Sequence, residues 1–383
     1  MNKTTKIQAA IAAALLLGAA GTAWSMLAPA GKQITEDAYV DGNVVQLTPQ
    51  VSGSVTQIGA DNTDYVKAGQ VLVQLNEVDA QLALSRAEAQ LSKAVRSVRV
   101  QFSNASQFRA NVTLRATDLS RAQADLARRR DLASSGAISG EDIHHAEDAV
   151  KAAQAALTVA EQQLASAGAL VDQTTVANHP EVEAAISQLR EAYVASVRTT
   201  LRAPVTGLVT KRNVQLGQRV NAGTSLMSIV PPEQMWVNAN FKESQLGEIR
   251  IGQAVTLSAD VYGKSVQYSG RVIGQDPGTG SAFALLPAQN ATGNWIKVVQ
   301  RVPIRIALDP RELASHPLKL GLSMHVAVDT SDRRGSVAMS TVATRAPYST
   351  DVFKHELEQA DELVAHIIAA NLGGTGNALA RVN

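Results

Sequence analysis

The sequence predicts an elongated chain of mixed α and β structure. In order, it should contain an N-terminal transmembrane helix, half of a small β-sandwich, a long antiparallel coiled-coil hairpin, the other half of the sandwich and a small β-barrel. Three observations carry this expectation. A half-motif, VSGSVTQIGADNTDYVKAGQVLVQL from Val51 to Leu75, returns without a gap as VTGLVTKRNVQLGQRVNAGTSLMSI from Val205 to Ile229. The chain between the copies lacks proline from Pro49 to Pro180 and carries a sustained heptad pattern. An uncharged run, Ile7 to Pro29, follows Lys3 and Lys6 at the N-terminus.

The N-terminal run is long enough to cross a bilayer, for which about 20 apolar residues suffice. The flanking lysines should stay on the cytoplasmic side, so the rest of the chain is exported. A cleaved signal peptide is the competing reading, with Ala28-Pro29-Ala30 as a small-residue site. Under either reading the body lies outside the cytoplasm. An anchor over 1–30 is the preferred assignment.

In the repeat, Val51 matches Val205, Gly53 matches Gly207, Val55 matches Val209, Val66 matches Val220, Gly69 matches Gly223 and Leu72 matches Leu226. Neither copy can bury its apolar face alone, so the two must meet, and the segment between them must go out and come back. The half-sandwiches are placed at 31–77 and 199–232, with Ile34 to Leu47 read as a linker entering an extended strand.

The hairpin is assigned to 78–198. On its outgoing arm Leu91, Val98, Ala105, Val112, Leu119 and Leu126 recur every seventh residue. On the return arm Ile143, Val150, Leu157, Leu164 and Val171 form one row and Ala146, Ala153, Ala160 and Ala167 the other. A heptad held this long specifies a left-handed coiled coil, and the alanine row lets the backbones approach closely. Gly136 should end the first helix, and Ser139 or Gly140 should start the second, ahead of Glu141 and Asp142. The phase is lost from Asp172 to His179, and Pro180 fits a first helical position. At 1.5 Å per residue the outgoing arm is a rod of roughly 80 Å, a spacer or reaching device.

From 233 to 330 short strands with glycine turns suggest a barrel: Met235–Val237, Ala254–Leu257, Val266–Val272, Val302–Leu308 and Val326–Val328. The tail, 331–383, holds one amphipathic helical stretch, Val352 to Ala370, and a flexible end at Gly373–Asn377.

Composition excludes several classes of function. The chain has no cysteine and a net charge of +1, with 35 basic against 34 acidic residues. Disulfides, thiolate metal sites and a cysteine nucleophile are therefore out, and no basic face invites nucleic acid. His144-His145, beside acidic residues, points in directions about 100° apart on a helix, which suits a solvated helix start better than chelation. Gly278-Thr279-Gly280-Ser281 lacks the context of a phosphate loop, and no nucleophile elbow or carboxylate pair stands out. The chain is therefore read as a non-enzyme without cofactor or metal.

The order half-motif, hairpin, half-motif, barrel behind a membrane anchor resembles that of the membrane fusion proteins, or periplasmic adaptors. Two strings make the resemblance specific to the EmrA-type branch of the HlyD-like adaptors: Trp236-Val237-Asn238-Ala239-Asn240-Phe241-Lys242-Glu243-Ser244-Gln245, and GTGSAFALLPAQNATGNWIKVVQRVPIRI from Gly278 to Ile306. The resemblance covers nearly the whole chain to about Asp329. It implies a lipoyl-like sandwich and a single-pass anchor in the inner membrane of a Gram-negative cell, with the bulk in the periplasm. It also implies self-association as a trimer or hexamer. The implied task is to link an inner-membrane major facilitator drug:proton antiporter to a TolC-like outer-membrane channel for multidrug export. Adaptors of ABC-type exporters or of aromatic-acid efflux systems are the alternatives within the same architecture.

Carried over from the family, an arginine, a leucine four residues on and a serine seven further mark a channel-docking tip, and here they are Arg128, Leu132 and Ser139. The plainer reading is a solvated arginine, a coiled-coil leucine and a helix-capping serine. Trp236 and Trp295 are candidate contacts for substrate or transporter, against a default of aromatic packing in the barrel. A biotin or lipoyl carrier, the alternative from a different class, would need a modified lysine. Lys67 lies in a turn, but its counterpart is Asn221 and no Met-Lys-Met or Asp-Lys-Ala turn is present.

Overall fold

The computed structural model describes residues 31–133, 136–283, 299–337 and 348–372. The expected N-terminal anchor, Trp295 and the flexible end from Gly373 lie outside them. Among the described residues no helix is long and apolar enough to cross a membrane.

The two half-motifs form one interlocked sandwich of two four-stranded sheets. The first half contributes β3 (Val45–Leu47), β4 (Gly53–Ile58), β5 (Tyr65–Val66) and β6 (Val71–Leu75). The second contributes β7 (Thr200–Arg202), β8 (Gly207–Thr210), β9 (Arg219–Val220) and β10 (Met227–Val230). The sheet orders are β3-β10-β8-β5 and β7-β6-β4-β9, so each half lends its short strand to the other's sheet. Gly53 pairs with Val220, and its counterpart Gly207 pairs with Val66. The repeated valines and leucines, Val55 and Val209, Val66 and Val220, Leu72 and Leu226, all lie in the shared core. Strand exchange is the physical reason that the halves must meet: each copy alone leaves a sheet edge unpaired and an apolar face wet.

The symmetry extends to the turns. Gly69 and Gly223 take the same left-handed backbone, at φ 83° and 82°. Thr63 and Gly217 also match, both at φ 77°. Thr63 N–H donates to the Val209 carbonyl at 2.9 Å, and Gly217 N–H to that of Val55 at 2.8 Å. A β-branched residue is strained in this region, where Gly is not. Thr63→Gly is therefore expected to stabilise the sandwich by about 0.5–1 kcal/mol, after allowing for the entropy of an added glycine. Urea unfolding of the two proteins checks this.

Between the halves, α1 (Val78–Ala133) runs out for 56 residues, about 84 Å at helical rise. The chain returns through α2 (Gly140–Gly168) and α3 (Pro180–Val197). The break between them falls where the heptad phase is lost. Pro180 sits in the first turn of α3, and the N-cap is His179, whose Nδ1 accepts from Glu181 N–H at 3.2 Å. The other ring nitrogen lies 2.9 Å from the Leu170 carbonyl oxygen, which ties the cap to the end of the preceding arm.

Burial along α1 changes at this level. Below the break Ala87, Leu91, Ala94, Val95 and Val98 are buried; above it only Ala105 and Leu119 are. On α2 only Ala146 and Ala160 are buried, while Ile143, Val150, Leu157 and Leu164 are half-buried. The upper rod is a two-helix coil with a thin seam. The lower rod has a wider apolar face because a third helix, described below, covers it.

The barrel is one seven-stranded sheet, ordered β1-β15-β12-β13-β14-β11-β2. Its strands are β1 (Lys32–Thr35), β2 (Ala38–Gly42), β11 (Met235–Lys242), β12 (Ala254–Ala259), β13 (Tyr268–Gln275), β14 (Arg301–Leu308) and β15 (Met324–Asp329). It curls until Val40 bonds with the turn before β15: Val40 N–H donates to the Leu322 carbonyl at 2.9 Å, and Gly321 N–H to that of Val40 at 2.8 Å. Two short helices, α4 (Glu243–Leu246) and α5 (Pro310–Ser315), lie between its strands in sequence. Residues 32–42, assigned from sequence to the first half-sandwich and, from Ile34 on, to its entering linker, instead form β1 and β2 and belong to the barrel. Strands of four and five residues carry too short an apolar pattern in the sequence to separate a barrel strand from a linker. The core of the barrel includes Val237, Ala239, Phe241, Ile304, Ile306, Val326 and Val328.

The tail ends in α6 (Glu356–Leu372), offset by a few residues from the expected helical stretch. It packs beside α1 and α3, with Val364 and Ile367 in one cluster with Leu91, Val98, Val182 and Leu189.

Candidate docking site at the hairpin tip

The tip is built from the last two turns of α1, a short connection and the start of α2. Gly136 has φ 77° and donates its N–H to the Ala133 carbonyl at 3.0 Å, so it ends the helix as expected. Residues 134 and 135 lie outside the described residues.

Arg128 and Leu132 lie one turn apart on one face of α1, whereas Ser139 opens the opposite arm. The Arg128 guanidinium is 3.0 Å from Asp125 Oδ1, and Arg129 Nε is 2.9 Å from Oδ2 of the same carboxylate. Asp125 is thereby held below the usual aspartate pKa, first by the hydrogen bond from Arg128 and then by that from Arg129. Arg130 reaches across the hairpin to Glu147 at 2.7 Å, which lowers the Glu147 pKa and joins the two arms. Arg128, Arg129 and Arg130 are consecutive in the sequence. The structure divides them, two sharing Asp125 and one bridging the arms, and the i, i+3 and i, i+4 spacings from Asp125 were the available signal. Leu132 is 51% exposed, a large apolar side chain offered at the end of the rod.

Ser139 is the N-cap of α2. Its Oγ accepts from Asp142 N–H at 3.2 Å, and its hydroxyl donates to Asp142 Oδ2 at 2.6 Å in a capping box. The Asp142 pKa is lowered, chiefly by that hydroxyl. A lowered carboxylate pKa means that the contribution is complete above the unfolded-state value and is lost as pH falls through the folded one. The bond that Asp142 makes in the cap is therefore complete at neutral pH and is lost as pH falls below the usual aspartate range. Ser139→Ala should remove a cap worth about 1 kcal/mol and speed amide exchange in the first turn of α2 about fivefold. Hydrogen exchange at pH 7 measures this.

The remaining candidates sit elsewhere. His144 and His145 are exposed, lying 3.5 Å from Glu147 and 3.7 Å from Glu141 respectively. Trp236 lies on the outer face of β11, away from the barrel core. Its ring is covered by the Arg305 guanidinium, 3.6 Å from the centroid, and its Nε1–H donates to Asn238 Oδ1 at 3.0 Å. Trp236 thus takes part in a cation–π stack on the outer face of the barrel.

A sandwich split by a long helical hairpin and joined to a barrel defines the chain as an elongated adaptor. Residues 78–199 match the family model "EMRA, alpha-helical hairpin domain". The chain is 45% identical over 339 residues to "Multidrug export protein EmrA" of Escherichia coli, covering 88% of this chain and 87% of that protein. It is 44% identical over 337 residues to the Haemophilus influenzae protein of the same name, covering 88% and 86%. It is 53% identical over 298 residues to "Fatty acid resistance protein FarA" of Neisseria gonorrhoeae, covering 78% and 76%. The chain belongs to the EmrA family.

Proposed function

We propose that the chain is the periplasmic adaptor of a tripartite multidrug efflux pump. It is anchored in the inner membrane by residues 7–29 and linked there to a major facilitator drug:proton antiporter. At its far end it meets a TolC-like outer-membrane channel through Arg128, Leu132 and Ser139. It works as a trimer or hexamer around the conduit. The observation that carries this reading is the rod itself: 56 residues of helix end in an exposed leucine among ordered arginines. A reach of about 84 Å is suited to crossing a periplasmic gap.

Among the described residues no group of three His, Cys, Asp or Glu side chains is placed to hold a metal ion. The energy for export is assigned to the transporter. The relatives named for multidrug export and for fatty-acid resistance point to amphipathic or apolar cargo, and the 53% identity to the latter makes a fatty acid the second reading.

Pull-down of the tagged full chain from gently solubilised, cross-linked membranes tests the assignment. Recovery of both an inner-membrane transporter and an outer-membrane channel is expected. Recovery of neither overturns it. Recovery of an ABC-type exporter moves the chain to the alternative partner. Intact mass is expected to show no added biotin or lipoyl group; such an addition would favour the carrier reading.

A further inference from the structure

The hairpin joins the sandwich at two places, where α1 follows β6 through Asn76-Glu77 and where α3 enters β7 through Arg198-Thr199. Two attachments define a line, and rotation about that line is unopposed unless a third contact lies off it. The C-terminal segment supplies such a contact. After β15 it is tied to the barrel: Gln253 Nε2 donates to the Asp332 carbonyl at 2.8 Å, Arg333 pairs with Glu248 at 2.7 Å, and Ile251 N–H donates to the Ser336 carbonyl at 2.9 Å. It is next tied to the sandwich, where Thr350 Oγ1 donates to the Pro204 carbonyl at 2.8 Å. It then climbs the lower hairpin as α6.

The polar contacts follow α6 along its length. Glu356 pairs with Arg198 at 3.2 Å, Gln359 accepts from Tyr193 OH at 3.2 Å, and Asp361 pairs with Arg190 at 2.6 Å. At the far end the Asn371 carbonyl accepts from Arg99 at 2.7 Å. These partners run down α3 as α6 rises, so α6 is antiparallel to α3 and parallel to α1. Val364 and Ile367 complete the apolar seat. The end of α6 lies beside Arg99 on α1, and among the described residues no third helix accompanies the two-helix coil beyond it.

We propose that the C-terminal segment is a strap that fixes the direction of the hairpin on the sandwich. Its anchor points are Thr350, Glu356, Asp361, Val364, Ile367 and Asn371. The need follows from the lever: over a rod of about 84 Å, a tilt of 10° at the base carries the tip about 15 Å sideways. A seat of buried apolar side chains and charge-assisted hydrogen bonds is the means by which a packed interface holds one arrangement rather than a continuum. The functional consequence rests on the adaptor reading above; the geometry does not.

The absence of cysteine makes the test direct. Lys67→Cys on the sandwich and Gln107→Cys on α1 above the end of α6 place two spin labels in the full chain for pulsed electron paramagnetic resonance. The otherwise unaltered protein is expected to give one narrow distance distribution. Val364→Asp with Ile367→Asp is expected to broaden it at least twofold, about what release of a seated helix into several orientations produces. A chain ending after residue 337 is expected to do the same, and it decides the matter if circular dichroism shows that the double variant loses fold. Unchanged width in the variant that keeps its fold overturns the proposal. In membranes the unseated variant should keep the transporter and lose about tenfold in channel recovery, a shift of about 1.4 kcal/mol. Undiminished channel recovery from a broadened hairpin would overturn the functional half. Failure of the unaltered chain to recover any partner would instead count against the adaptor reading.

Discussion

Leu132→Asp is expected to abolish recovery of the outer-membrane channel while leaving the transporter bound and the protein folded. Leu132 is 51% exposed, so the substitution removes little from the fold of the isolated chain. At an interface the change is severe. Burying a leucine is worth about 1.5–3 kcal/mol, and forcing an unpaired carboxylate into the same apolar contact adds several more. The combined loss is at least about 100-fold in affinity by the usual conversion. Arg128→Ala should do less, because Arg128 shares Asp125 with Arg129, and an exposed ion pair contributes little by itself. The measurement is the membrane pull-down, read separately for the two partners. Full channel recovery with Leu132→Asp would move the docking site off the tip.

The second large effect is on stability and comes from Gly207. A Cβ there would lie 2.7 Å from the Val230 carbonyl carbon and 2.9 Å from the Pro231 nitrogen, both backbone atoms with no rotamer to yield. Gly207 is also paired with Val66 in the strand exchange that joins the halves. Gly207→Ala is expected to cost about 3 kcal/mol or more, the upper range for overpacking. That is a large share of the 5–15 kcal/mol that holds a typical domain. Its counterpart Gly53 faces the Leu75 side chain at 3.2 Å, and Gly53→Ala should cost about 1 kcal/mol as that side chain shifts. Urea unfolding of the two single variants should therefore rank them clearly. Equal costs would mean that the halves share the load symmetrically despite their different neighbours.

Much of this protein is legible in its sequence. The repeat located the sandwich, because matched glycines and valines mark matched turns and core positions. Heptads located the hairpin, and the proline-led restart at Pro180 located its break. Ser139 takes the helix-capping role that its plainer reading gave it, and Leu132 lies exposed near the tip. Other features were hidden for identifiable reasons. Lys32 to Gly42 is two short strands whose partners, Val326–Asp329 and Met235–Ala239, lie far along the chain. No local pattern encodes so distant a pairing. Trp236 alternates with core residues on β11, but its cover, Arg305, comes from another strand.

Sequence by itself determined the local periods: a gapless repeat, a seven-residue recurrence and the punctuation of Gly136 and Pro180. These are properties of neighbouring residues, and backbone geometry converts them directly into strands, helices and turns. Only the tertiary structure decided the long-range choices: that the halves exchange β5 and β9, that the first strands close the barrel, and that α6 returns to the hairpin base. Each of these depends on which distant surfaces are left uncovered once the local elements exist. That remainder is set by shape and burial in three dimensions, not by spacing along the chain.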